Sequence, residues 1–135
     1  MGTSKSRNIE LNPSTPRFAT MTTDSAFMAA TDRVLAIIGA ALDAALAEAD
    51  VDVDWNLNEG ILEIECEDGS KLIVNRHLPN REIWVAAKSG GFHFGLRDGG
   101  WRDTRSGASL AVTLATLLKA QAGLDLALPL LPVPA

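Results

Sequence analysis

The sequence predicts an α+β two-layer sandwich, with two helices packed on one face of a five- to six-stranded antiparallel sheet. Three observations carry that prediction. Apolar residues recur at three- and four-residue spacing between Phe27 and Leu46, the period becomes two after Asp50, and helical spacing returns after Ser109. Turn-forming pairs interrupt the alternating stretch, so its strands are joined by hairpins rather than by long crossovers.

Residues 1–20 are polar, hold two prolines and show no hydrophobic period, which reads as a disordered leader. Met21 looks like a natural start. Lys5, Arg7 and Arg17 among serines and threonines have the composition of a transit peptide, but an amphipathic apolar face is missing. The folded domain is expected over residues 21–125.

Its first helix has Phe27, Met28, Thr31, Val34, Leu35, Ile38, Leu42, Ala45 and Leu46 on one stripe, with Thr23 or Asp24 as the cap. At about 100° per residue, Asp32, Asp43 and Asp50 lie close to one line along it. Asp32 and Asp43 are still about 16 Å apart at helical rise, so they form a ridge and cannot chelate one ion.

The first hairpin follows. Glu59-Gly60 is a two-residue turn, and matching apolar faces pairs Leu57 with Leu62, Trp55 with Ile64 and Val53 with Cys66. That register sets Asp54 opposite Glu65 and Asp52 opposite Glu67, so four carboxylates crowd one face. At Asp68-Gly69-Ser70 a three-residue loop with a left-handed Gly69 sets Cys66 opposite Leu72, Ile64 opposite Val74 and Lys71 opposite Glu67.

Leu78-Pro79-Asn80 is a connection, and Glu82 to Ala87 and Gly91 to Leu96 are strands, with Gly90-Gly91 and Asp98-Gly99-Gly100 in turns. If Ile83 and Val85 face the core, Trp84 faces solvent beside His93. A covering loop or a protein partner would explain such an exposed tryptophan. The second helix has Leu110, Leu114, Leu117 and Leu118 as its stripe and stops at Gly123. The Pro-rich tail at 126–135 is too apolar to float free, and with Leu124 it is expected to pack along the groove between the helices.

Charge is unevenly placed. From Asp24 to Glu67 the chain has eleven acids against the single base Arg33, a balance of −10, while the rest sums to +5. The bland explanation is a solvated face that aids solubility. A sequence pI near 4.9 argues against nucleic acid and for cations or a basic protein surface. No uninterrupted apolar run approaches the roughly 18 residues of a membrane span. The single cysteine, Cys66, permits no internal disulfide and fits a reducing compartment. His77 and His93 have no acidic motif at ligand spacing and read as surface histidines. No catalytic triad or phosphate-cradling glycine motif is present.

Several stretches together resemble the frataxin family in its bacterial, CyaY-type form. They are the acidic helix end running into Asp52-Val-Asp54, Asp68-Gly-Ser-Lys-Leu-Ile-Val-Asn-Arg76, Pro79-Asn-Arg-Glu-Ile-Trp-Val85, Lys88-Ser-Gly-Gly-Phe-His-Phe94, and Trp101 followed by Asp103-Thr-Arg-Ser-Gly107. The resemblance spans about residues 21–125 and implies the same sandwich with an acidic ridge on the first helix and strand. It implies weak, labile binding of Fe²⁺ or Fe³⁺, with other divalent cations as competitors, and a contact with a cysteine desulfurase and the cluster scaffold protein. It also implies a bacterial cytoplasmic setting and a monomer, with iron-driven oligomerisation open.

By that resemblance Asp24, Asp43, Asp50, Asp52 and Asp54 fall on the ridge, and Trp84 matches the family's exposed tryptophan. Glu48, Glu65 and Glu67 extend the expected metal-binding set. Asp32, Asp43, Asp50, Trp84 and His93 form the expected partner contact. Gly39, Ala40 and Ala41 stand where helix acids are expected and Asn56 where an acid is common, which shifts weight to the hairpin. Carboxylates are hard ligands that suit iron without strong selectivity. The expected function is non-enzymatic iron donation to, or regulation of, iron–sulfur cluster assembly. A ferroxidase and a metal-independent acidic adaptor are the alternatives.

Overall fold

The computed structural model describes residues 22–135; the expected leader and the start at Met21 lie outside them. Helix α1 (Asp24–Glu48) precedes six strands: β1 (Asp54–Asn58), β2 (Ile61–Glu65), β3 (Lys71–His77), β4 (Glu82–Ala87), β5 (Gly90–Arg97) and β6 (Gly100–Asp103). Helix α2 (Leu110–Ala122) follows. The strands pair antiparallel in chain order to form one six-stranded sheet. Phe27, Ile38 and Leu42 of α1 and Leu114 and Leu118 of α2 join Leu62, Val74, Ile83 and Phe94 of the sheet in a single core.

Thr23 caps α1 by accepting a hydrogen bond from the Ala26 N–H at 3.0 Å. The helix ends where the apolar period changes, at an extended Ala49 and with no basic residue in its last turn. Its length and composition would suffice to cross a membrane. Counting uninterrupted apolar runs misses this, because Asp32, Arg33 and Asp43 break the run without lowering the average much. Here the apolar stripe is buried against the sheet. Ser109 caps α2, and a left-handed Gly123 closes it by donating to the Lys119 carbonyl at 3.0 Å.

The first hairpin has the expected register, with Trp55 opposite Ile64 and Leu57 opposite Leu62. Glu59 and Gly60, with φ of 48° and 83°, make the left-handed two-residue turn whose twist matches the strands. The ladder ends at the Asp54–Glu65 pair, so Asp52 and Glu67 lie outside it.

The second hairpin departs from expectation by two residues. Ile64 faces Leu72, Leu62 faces Val74, and Lys71 faces Glu65 rather than Glu67. The three-residue loop and the left-handed Gly69 are present, but the loop is Glu67-Asp68-Gly69, closed by a 2.8 Å bond from the Cys66 N–H to the Ser70 carbonyl. The Asp68 carboxylate accepts from the Ser70 N–H at 2.9 Å and hydroxyl at 2.6 Å, which holds Ser70 as the closing residue. A one-residue error in loop placement shifts the register by two and leaves every side chain on its expected face.

Further on, Ala87 pairs with Gly90, so the turn is Lys88-Ser89 and the two glycines belong to β5. The tail buries Leu124 and Leu126, and the Trp101 indole N–H donates to the Pro132 carbonyl at 2.8 Å. Leu130 is 96% exposed, against the expectation that it packs. Leu128 and Leu131 both touch the core, so the extended tail slips phase at Pro129 and turns Leu130 outward.

Candidate metal and partner surface

The acids of α1 are mostly engaged inside the molecule. Asp24 pairs with Arg81 and Asp32 with Arg76. The Arg76 side chain is only 13% exposed and lies over Gly60, where an added Cβ would stand 2.7 Å from the guanidinium. Its backbone N–H also donates to the Gly60 carbonyl at 2.9 Å. Arg76 therefore ties the β1–β2 turn to the helix through Asp32.

Asp43 accepts a 2.9 Å hydrogen bond from the Trp55 indole N–H. That indole lies so close to the helix that a Cβ on Gly39 would come within 2.6 Å of the ring. Glycine in a helix interior costs about 1 kcal/mol relative to alanine. At position 39 it makes room for Trp55, a structural reason for the small residue in the middle of the ridge.

A second acid set lies at the helix end and hairpin. Glu48, Asp50, Asp52, Asp54, Glu65 and Glu67 are all exposed, and among the described residues none has a salt bridge. Asp54 and Glu65 are directly opposed across the ladder. Glu63, by contrast, is neutralised by Lys71 at 2.8 Å, which holds the Glu63 carboxyl below its usual range and raises the Lys71 ammonium. Asp68 is lowered more strongly, first by the Ser70 hydroxyl and then by Lys88 at 2.9 Å.

Among the described residues no three His, Cys, Asp or Glu side chains are grouped closely enough to hold a metal ion as they stand. The expected quartet of Asp52, Asp54, Glu65 and Glu67 is thus one opposed pair with two outliers. The donor chemistry fits a hard cation such as iron, but binding would require exposed side chains to converge. That arrangement suits weak and exchangeable occupancy.

Further along the strand order, the same outer face of the sheet carries an aromatic column that only partly matches expectation. Trp84 pairs with His93, and their rings stack at 4.3 Å and 12°. His77, the diagonal neighbour on β3, stacks on the other side at 3.7 Å and 10°. Among the described residues the tryptophan is flanked by two imidazoles, one on each neighbouring strand. The sequence shows His77 but gives it no role, and the signal lies in the β3–β4 register. Glu82 completes the group by accepting the Trp84 indole N–H at 2.8 Å.

A family model described as a frataxin-like domain matches residues 20–124. The iron-sulfur cluster assembly protein CyaY of Cupriavidus metallidurans is 45% identical over 105 residues, covering 78% of this chain and 95% of the relative. Its counterpart in Dechloromonas aromatica is 52% identical over 101 residues, covering 74% and 92%. Among solved structures, frataxin from Psychromonas ingrahamii superposes with a TM-score of 0.64 at 29% identity, covering 77% of this chain and 95% of that one. A trimeric frataxin from the yeast Saccharomyces cerevisiae, complexed with ferrous iron, gives 0.59 at 28% identity, covering 67% and 82%.

Proposed function

The chain belongs to the frataxin family, and from that premise we propose that it is a non-enzymatic iron-binding protein of bacterial cytoplasmic iron–sulfur cluster assembly. It donates iron to, or regulates, that assembly by docking on a cysteine desulfurase. The carrying observation is the division of the acids: those of α1 are tied to Arg76, Arg81 and Trp55, while those at the helix end and hairpin are exposed and, among the described residues, without a salt bridge. A concentrated unneutralised charge attracts a basic partner surface and speeds encounter, an effect that salt weakens.

The same carboxylates offer weak sites to Fe²⁺ or Fe³⁺ as cargo. A bound cation relieves the repulsion between Asp54 and Glu65, since like charges directly opposed on two strands are destabilising. A ferroxidase would need two metal ions about 3.5–4 Å apart on shared ligands, and the scattered carboxylates fit that poorly. Trp84 and His93 serve the protein contact with the desulfurase or the cluster scaffold protein.

The test is a pull-down of the desulfurase with Asp50, Asp52 and Asp54 reversed to lysine. Binding at low salt should fall by at least about tenfold, equivalent to roughly 1.4 kcal/mol. Unchanged binding refutes the docking. Amide signals over residues 48–67 should broaden when Fe²⁺ or Co²⁺ is added; unbroadened signals alongside retained desulfurase binding would instead support a metal-independent adaptor.

A further inference from the structure

The column on the outer sheet face contains a shared acceptor. Glu82 Oε1 takes the Trp84 indole N–H at 2.8 Å, and the same oxygen stands 4.0 Å from His93 Nδ1. Two donors thus converge on one carboxylate oxygen when His93 is protonated. The two histidines are not equivalent. His93 is half exposed beside that acceptor, whereas His77 Nδ1 is buried and has no hydrogen-bond partner among the described residues.

We propose that His93, Glu82 and Trp84 form a proton-operated switch on the outer sheet face, with His77 as the second imidazole that keeps the indole stacked. In the unprotonated state Glu82 holds the indole N–H. When Nδ1 of His93 takes a proton from water, the new N–H closes on Glu82 Oε1, now 4.0 Å away, and that oxygen is shared between the imidazolium and the indole N–H. A hydrogen bond between two charged groups is about twice as strong as one with a neutral partner, so the new contact draws the shared oxygen toward His93 and loosens its hold on the indole N–H. The cation then lies against the indole face, where the ring quadrupole attracts it. Histidine changes charge between about pH 5 and 8, the range over which a cell's pH can act on such a device.

Other charged groups surround Glu82 and His93. From the β3–β4 connection Arg81 is paired with Asp24. Arg97 and Thr104 line the cavity beside Glu82, and Arg102 on β6 projects from the same face opposite Gly95. Arg105 shares a cavity with His93, while the Asp103 carboxylate is engaged by the Arg105 N–H at 2.7 Å and the Ser106 N–H at 3.4 Å. The switch changes the Trp84 face from a neutral aromatic surface to a cation-flanked one. Only the consequence for partner docking rests on the proposed function; the titration itself does not.

The experiment is a pH titration from 8 to 5 of the full ¹⁵N-labelled chain, without iron or partner. It follows the Trp84 indole N–H and His93 ring resonances, with the Trp55 and Trp101 indoles as internal reporters of folding. The Trp84 signal should move with the same midpoint as His93, lose that movement in H93Q and in E82Q, and keep it in H77Q. A Trp84 signal that stays fixed while His93 titrates, or that moves unchanged in H93Q, overturns the switch. Failure to bind the desulfurase would sink the proposed function and leave this result standing.

Discussion

The two acid clusters are built from the same side chains and lie within one stretch of chain, yet they do opposite things. On α1, Asp24, Asp32 and Asp43 each meet a donor from elsewhere in the fold, so their charge holds the helix to the sheet. At the helix end and hairpin, Glu48, Asp50, Asp52 and Asp54 have no such partner among the described residues, and Asp54 directly opposes Glu65, an arrangement that works against the fold. The proposed docking and iron-binding surface rests on the acids without internal partners, not on acid density alone.

Mutations can separate the two regions by the sign of their effect on stability. The largest effect is expected on α1. D32N removes the charged acceptor of a nearly buried Arg76 and should cost about 1–2 kcal/mol in urea unfolding, with Co²⁺ broadening over the hairpin unchanged. Lost broadening would mean that Asp32 belongs to the metal-binding set. G39A is next: overpacking against Trp55 typically costs about 1–3 kcal/mol and the gain in helix propensity returns about 1. A net loss of roughly 1 kcal/mol, with a shifted Trp55 emission, is expected; a stabilised variant would show that the indole moves aside freely.

The hairpin end should respond in the other direction. Glu48 sits in the last turn of α1, where the helix dipole disfavours an anion and no base compensates. E48Q should therefore stabilise the protein by about 0.3–1 kcal/mol while weakening divalent-metal broadening. The smallest effect concerns acid. The folded-state pKa of Asp68 is depressed below its unfolded value, so its contribution is present above about pH 4 and drains away as pH falls. D68N should lower stability slightly at neutral pH and flatten its loss between about pH 4 and 2, so that the two proteins converge in acid, as acid-induced unfolding monitored by circular dichroism would show.

Most of the architecture is legible in the sequence because periodicity and turn chemistry are local. The change of period at Asp50 marks the helix end, and Glu59-Gly60 fixes the first hairpin's register without tertiary information. The second register goes astray because a side-chain hydrogen bond from Asp68 to Ser70 decides which residue closes the loop. The site is less legible for a related reason. Arg76 lies 44 residues from Asp32 and Trp55 lies 12 from Asp43, so which acids are engaged becomes visible only with the fold. His77 was hidden likewise, since its contact with Trp84 is a diagonal across two strands.

The strand order has a kinetic consequence. Each strand pairs with the one made just before it, so the sheet can zip progressively and most of its closures span short loops. Helix α1 is made first, yet it finds Arg76 and Trp101 only after much of the chain has followed. Trp101 meets Phe27 edge-on at 6.1 Å and bonds to Pro132 near the other end of the chain. It joins the earliest and latest parts of the domain, so in a refolding experiment its emission times final closure, while Trp55 reports the helix settling on its first hairpin.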